Sequence, residues 1–196
     1  MNIAQIHKFI ERMPKVEMHV HLEGSTRPET LLKLAQKNNV DLPVKNLKEI
    51  EDWYQFSGFQ HFLEVYFAIC QCIKTTKDFE LIMEEFLRNQ AAQNIRYSEV
   101  IFTPYTHLKK SPFEEQLASI NRARTKIKAE LGVEVGLVPD MSREMRPVEE
   151  SLLVAEWAAG NQGNGIIALG LGGPEVGNPP ELYEKVFARS KALGLP

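Results

Sequence analysis

The chain has 196 residues, 43% of them hydrophobic, enough for one sizeable core. Its 23 basic and 26 acidic residues leave a net charge of -3, and the longest basic cluster is Lys109-Lys110, so nucleic acid is excluded as a partner. No apolar run is long enough to span a bilayer and the N-terminus lacks a basic-then-apolar leader, so the expectation is a soluble cytoplasmic protein without a membrane partner.

In chain order, Ile3, Ile6, Phe9 and Ile10 recur at helical spacing until Pro14. Residues 15–24 then alternate apolar with polar and stop at Gly24, which is a strand pattern closed by a turn. Period two puts His19 and His21 on one face, about 6.5 Å apart along the strand, with Glu23 next if the strand persists. Imidazoles at that spacing can converge on one Zn²⁺ ion, although two ligands leave its shell incomplete.

Thr26-Arg27-Pro28-Glu29 reads as a capping box opening a helix to about Asn38, and residues 40–58 read as short helical pieces and loop. Residues 59–73 form a helix with Phe59, Phe62, Leu63, Tyr66, Phe67, Cys70 and Ile73 on an apolar stripe. Cys70 and Cys72 lie on that helix, where a disulfide across one residue is badly strained, so both are expected to be reduced and buried. Their spacing also fails the Cys-x-x-Cys pattern of the zinc deaminases that act on nucleobases. A further helix covers residues 78–93.

From residue 95 the pattern becomes regular. Residues 95–102 form a second strand, and Ser111-Pro112-Phe113-Glu114 reads as a capping box with Pro at N1, opening a helix that Gly132 ends. Residues 133–138 form a third strand, Pro147 opens a helix running to the glycines at 160–165, and residues 166–171 form a fourth strand. Asn178-Pro179-Pro180-Glu181 starts a last helix, with Gly194 as its cap. Short, apolar strands alternating with helices define an α/β fold with a parallel sheet. Either this is a small open sheet or it is the first half of a barrel, since a complete (β/α)8 barrel takes about 250 residues and four units are countable. Histidines at the carboxyl end of strand one and a glycine loop after strand four favour the barrel; both folds carry their site at that end. Arg96 and Glu99 read as an ion pair or loop anchor, with both reaching the site as the other reading, and His61 and His107 read as surface or boundary histidines.

The stretch Met13-Pro14-Lys15-Val16-Glu17-Met18-His19-Val20-His21-Leu22-Glu23-Gly24 resembles the opening of the adenosine/adenine deaminase family of metal-dependent amidohydrolases. Residues 94–104 resemble that family's second barrel strand, and Ala168-Leu169-Gly170-Leu171-Gly172-Gly173-Pro174-Glu175 resembles the segment of strand four that precedes the substrate pocket. The resemblance implies a TIM-type (β/α)8 barrel, with residues 1–196 as the N-terminal part of one deaminase domain, ending before the fifth strand. It implies His19 and His21 as ligands of a Zn²⁺ cofactor. It further implies substrate contacts from Glu23, from the backbone N–H of Gly173, and from Phe62 and Tyr66 at the mouth of the pocket. Gly170 departs from the family, where an acidic residue is common at that position.

The activity so implied is hydrolytic deamination of a 6-aminopurine nucleoside, adenosine to inosine plus ammonia, by the full-length protein. Alternatives are an adenine deaminase, an aminofutalosine-type nucleoside deaminase, or a truncated non-catalytic domain. Such chemistry needs an activated water, which zinc supplies by lowering its pKa towards 7, and an acid that protonates a ring nitrogen. The resemblance places that glutamate and the remaining metal ligands beyond residue 196, so no general acid or base is assigned here and zinc binding by these residues alone is expected to be weak. The oligomeric state is left open.

Overall fold

The computed structural model describes residues 2–145 and 147–196. Four strands, β1 (Lys15–His21), β2 (Ile95–Phe102), β3 (Glu134–Ser142) and β4 (Gly170–Gly172), pair in parallel in the order β1-β2-β3-β4. In the register, His21 lies beside Ile101, Val100 beside Leu137, and Asp140 beside Gly170. The strands follow chain order with helical crossovers between them, and of the two architectures open to the sequence this is the half-barrel. It is the α/β arrangement of a partial TIM-type barrel.

Strand alternation separates two environments. On β2, Ser98, Val100 and Phe102 are buried, whereas Tyr97, Glu99 and Ile101 are half-buried on the other face. On β3, Val135, Leu137 and Met141 are buried in the core, while Val138, Asp140 and Ser142 border a cavity. Helices pack against the core face. They are α2 (Pro28–Lys37), α3 (Leu47–Trp53), α4 (Phe59–Cys72), α5 (Thr76–Ala92), α6 (Pro104–His107), α7 (Phe113–Leu131), α8 (Ser151–Gly160) and α9 (Glu184–Ala192). Leu31, Leu34, Ile69, Phe79, Met83, Leu117, Ile120 and Val154 bring these helices into one buried cluster. Each such side chain stabilises the fold by roughly 1.5–3 kcal/mol through the area it removes from water.

The first helix, α1 (Ile3–Arg12), differs from expectation in what its apolar face does. None of its residues is buried, and Ile3 and Phe9 remain 73% and 58% exposed. Local bonds hold it: Asn2 and Gln5 cap each other at 2.9 Å, and the Asn94 side chain donates to the Arg12 carbonyl at 2.6 Å.

The capping boxes read at Thr26 and Ser111 are not formed; Arg27 and Pro112 occupy those caps without a side-chain bond. Thr30 instead bonds Glu85 across to α5. The box lies at the start of α5, where buried Asp78 accepts from the backbone N–H of Lys74 and Thr75 at 3.0 and 2.8 Å. The same carboxylate accepts from Lys37 Nζ at 2.6 Å and Asn38 Nδ2 at 2.9 Å, tying α2 to α5. Burial alone would raise its pKa, but these donors together hold it below the ordinary carboxylate range. Its contribution is therefore complete at neutral pH and is lost as the pH falls below about 4. Asp78→Ala should cost about 2–4 kcal/mol in urea unfolding at pH 7, because four donors lose one acceptor, and should cost much less at pH 3.

Candidate active site

The strand β1 ends at His21, and the chain turns there, with the Ser25 N–H donating to the His21 carbonyl at 2.9 Å. His19 and His21 share a face as expected: their rings meet edge-on, with centroids 5.5 Å apart, and both line the cavity. The His21 ring also stands edge-on to Tyr66, at 6.1 Å. Burial pushes the pKa of His21 down, against the opposing pull of Glu23, so this imidazole is neutral at pH 7.

Because the strand stops, Glu23 leaves the face that the histidines occupy. It is fully buried and lies outside the cavity wall, accepting the Thr103 N–H at 2.9 Å beside His107 Nε2 at 3.5 Å. Burial would raise its carboxyl pKa, but His107 and the Thr103 N–H keep it below the ordinary range. His107 is correspondingly no surface residue. It is fully buried, packed edge-on against Phe79 at 4.9 Å.

Helix α4 has two working faces, which explains its broad apolar stripe. Val65, Ile69, Cys70 and Cys72 enter the core, and both cysteines are free. Phe62 and Tyr66 face the cavity, where Tyr66 Oη and Thr103 Oγ1 are bonded at 3.1 Å. Gly173, just past β4, lines the same cavity and has φ 98°, a conformation that favours glycine. Arg143 steadies that loop: its N–H donates to the Gly172 carbonyl at 2.8 Å and its guanidinium to the Asn178 carbonyl at 2.7 Å. The cavity measures about 500 Å³, a size that suits a small heteroaromatic ligand, and joins His19, His21, Phe62, Tyr66 and Gly173 in one wall.

The residue that sequence reasoning missed is Asp140. The third strand runs on through Pro139 to Ser142, past the end at residue 138 expected from the sequence. Asp140 is 3% exposed, borders the cavity, and its Oδ1 has no hydrogen-bond partner among the described residues. Burial pushes its pKa up from 3.8 to about 8, with the Thr103 hydroxyl working against the shift and the Glu23 charge adding to it. A polar residue at the carboxyl end of a parallel strand was the available signal. Glu99 also reaches the cavity wall, accepting from Tyr97 Oη at 3.4 Å, while Arg96 turns to Asn94 Oδ1 at 2.9 Å and the Leu131 carbonyl at 3.1 Å. The ion-pair reading of Arg96 with Glu99 is thereby replaced.

A raised carboxyl pKa has a definite sign in stability. Asp140 favours the fold while it carries its proton, so this contribution is whole below about pH 4 and is lost as the pH rises through about 8. The difference between the two limits is on the order of 5 kcal/mol. Asp140→Asn should flatten the fall in melting temperature between pH 5 and 9, and an unchanged profile would contradict the assignment.

Fold and cavity together define part of a TIM-type amidohydrolase barrel. Residues 14–195 match the adenosine deaminase family, and the chain belongs to it. It is 35% identical over 189 residues to an adenine deaminase of Bordetella avium, covering 96% of this chain and 59% of that protein. The crystal structure of an adenine deaminase from Arthrobacter aurescens superposes with a TM-score of 0.83 at 29% identity, covering 93% of this chain and 55% of that one. An amidohydrolase from Burkhoderia ambifaria, solved with bound Zn, superposes with a TM-score of 0.87 at 26% identity, covering 100% and 53%. The chain thus spans little more than half the length of the proteins it matches.

The expectation of a Zn²⁺ cofactor is overturned for this chain. Among the described residues, no group of three or more His, Cys, Asp or Glu side chains is placed to hold a metal ion. Physically, His19 and His21 form a pair, and the nearest carboxylate in sequence, Glu23, is turned away to Thr103 and His107. Nor is any helix among the described residues long and apolar enough to cross a membrane.

Proposed function

We propose that the chain forms part of an enzyme that hydrolytically removes the amino group of a 6-aminopurine, with free adenine preferred to adenosine. What carries the reading is the match to proteins named adenine deaminase, at 35% and 36% identity over nearly the whole chain, in Bordetella avium and Zymomonas mobilis. This replaces adenosine, the first reading of the sequence, by one of its alternatives. The cavity supports it: aromatic walls with a few polar groups suit a flat, neutral heterocycle.

In this reading Phe62 and Tyr66 pack on the purine ring, and the Gly173 N–H donates to a ring nitrogen. His19 and His21 form the polar end of the wall. Glu23 acts at one remove, by holding Thr103 and through it Tyr66. Residues 1–196 belong to one barrel domain, and none of them is assigned the proton that the ring nitrogen receives.

Ammonia release from adenine, adenosine and a 6-amino futalosine-type nucleoside, measured on the gene product, tests this. The kcat/KM for adenine should exceed that for adenosine at least about tenfold, a preference of about 1.4 kcal/mol in the transition state. Faster turnover of adenosine would overturn the choice of base, and no release from any of the three would overturn the deaminase reading. Phe62→Ala should raise KM for adenine roughly 5–20-fold with a smaller change in kcat, since stacking acts on ground and transition states alike.

A further inference from the structure

The cavity wall carries a hydroxyl to which the roles assigned above give no task. Ser142 ends β3 on the face that borders the cavity, and it lies beside Gly172 in the register with β4. It is half-buried, and its Oγ accepts the Glu144 N–H at 3.3 Å. That long bond leaves the hydroxyl hydrogen and a second lone pair uncommitted. In the same wall, by contrast, the hydroxyls of Tyr66 and Thr103 are committed to each other at 3.1 Å.

The position of Ser142 relative to Gly173 gives it a use. A Cβ on Gly173 would stand 3.8 Å from Ser142 Oγ, so the two residues are neighbours in the wall. The Gly172 carbonyl accepts the Arg143 N–H at 2.8 Å. Across the planar trans peptide the Gly173 N–H therefore points away from β3, and the ladder does not consume it. A backbone donor and a hydroxyl acceptor thus lie close together at the carboxyl ends of β3 and β4.

A free purine base and its nucleoside differ at one edge. Adenine presents N3, an acceptor, beside N9–H, a donor; in adenosine the ribose replaces that hydrogen. An acceptor beside a donor complements the Gly173 N–H and Ser142 Oγ. A substituted N9 leaves the serine without its bond and sets bulk against it, and a site that bonds an N–H discriminates against an analogue lacking it.

We propose that Ser142 is a specificity residue, whose Oγ accepts the N9–H of a free purine base held with N3 towards the Gly173 N–H. The proposal rests on the aminopurine reading above and deepens it, by naming the side chain that separates the base from its nucleoside.

The test is calorimetric titration of adenine and of 9-methyladenine into the 196-residue chain and its variants, with melting curves to establish folding. The methylated base keeps the ring, N3 and the amino group and loses the N9–H. The unmodified chain should bind adenine at least about tenfold more tightly than 9-methyladenine. Ser142→Ala should lose about 5–20-fold for adenine and little for 9-methyladenine, which brings the two within about threefold. Ser142→Cys keeps the side chain's shape with a much weaker acceptor and should show the same selective loss; it decides the matter if Ser142→Ala fails to fold. A merely structural serine would weaken both compounds alike and leave their ratio unchanged. That result, or equal binding of the two by the unmodified chain, would overturn the proposal. A folded, unmodified chain that binds neither compound would instead remove the aminopurine reading, and this proposal with it.

Discussion

The carboxylate of Glu23 ties the carboxyl end of the first strand to that of the second. It is fully buried, accepts the Thr103 N–H at 2.9 Å, and lies against a His107 that is itself out of contact with solvent. A buried charge persists only where donors hold it, so the turn after β1 and the loop after β2 must stay in one arrangement. Thr103 then positions Tyr66 through a 3.1 Å hydroxyl bond, and the Tyr66 ring stands edge-on to His21. One side wall of the cavity thus inherits its geometry from a residue that does not line it.

The second constraint is steric. On the face where the helices pack their buried side chains, the core is filled with branched and aromatic residues. On the other face the end of β4 has glycine at 170, 172 and 173, and the space they leave is filled by Asp140 and the cavity. Larger residues at 170 or 172 would strike the Asp140 side chain, while Gly173 is fixed by its positive φ as well. The glycines serve the site and not the stability of the strand, which is three residues long.

Much of this order was legible in the residues. Period-two placement put His19 and His21 together, and the helix and strand alternation from residue 95 onward gave the parallel topology. Three things were not legible, each because a tertiary contact outweighed a local rule. Glu23 followed the histidines in period but not in space, because the strand ended at His21. His107 looked polar in its loop, yet Phe79 and Glu23 enclose it. Asp140 lay past the expected end of the third strand at residue 138, whereas the pairing continues through Pro139, opposite Phe102, to Asp140 beside Gly170. The zinc expectation failed for a related reason: local spacing supplies a pair of imidazoles, but only tertiary placement brings a third ligand to them, and the described residues place none.

The charge states around the cavity bear on the kind of ligand it takes. His21 is neutral because it is buried, and Asp140 keeps its proton because burial and the Glu23 charge both oppose its loss. Glu99 and Glu144 are the other acidic side chains in the described wall. An incoming phosphate would meet these carboxylates at close range in a partly enclosed, low-dielectric space, where like charges repel more strongly than in water. A neutral heterocycle meets no such opposition, and it gains the aromatic surface of Phe62 and Tyr66. The same electrostatics that leave Asp140 protonated therefore favour an uncharged ligand over a nucleotide, which suits the proposed aminopurine reading without separating the base from its nucleoside.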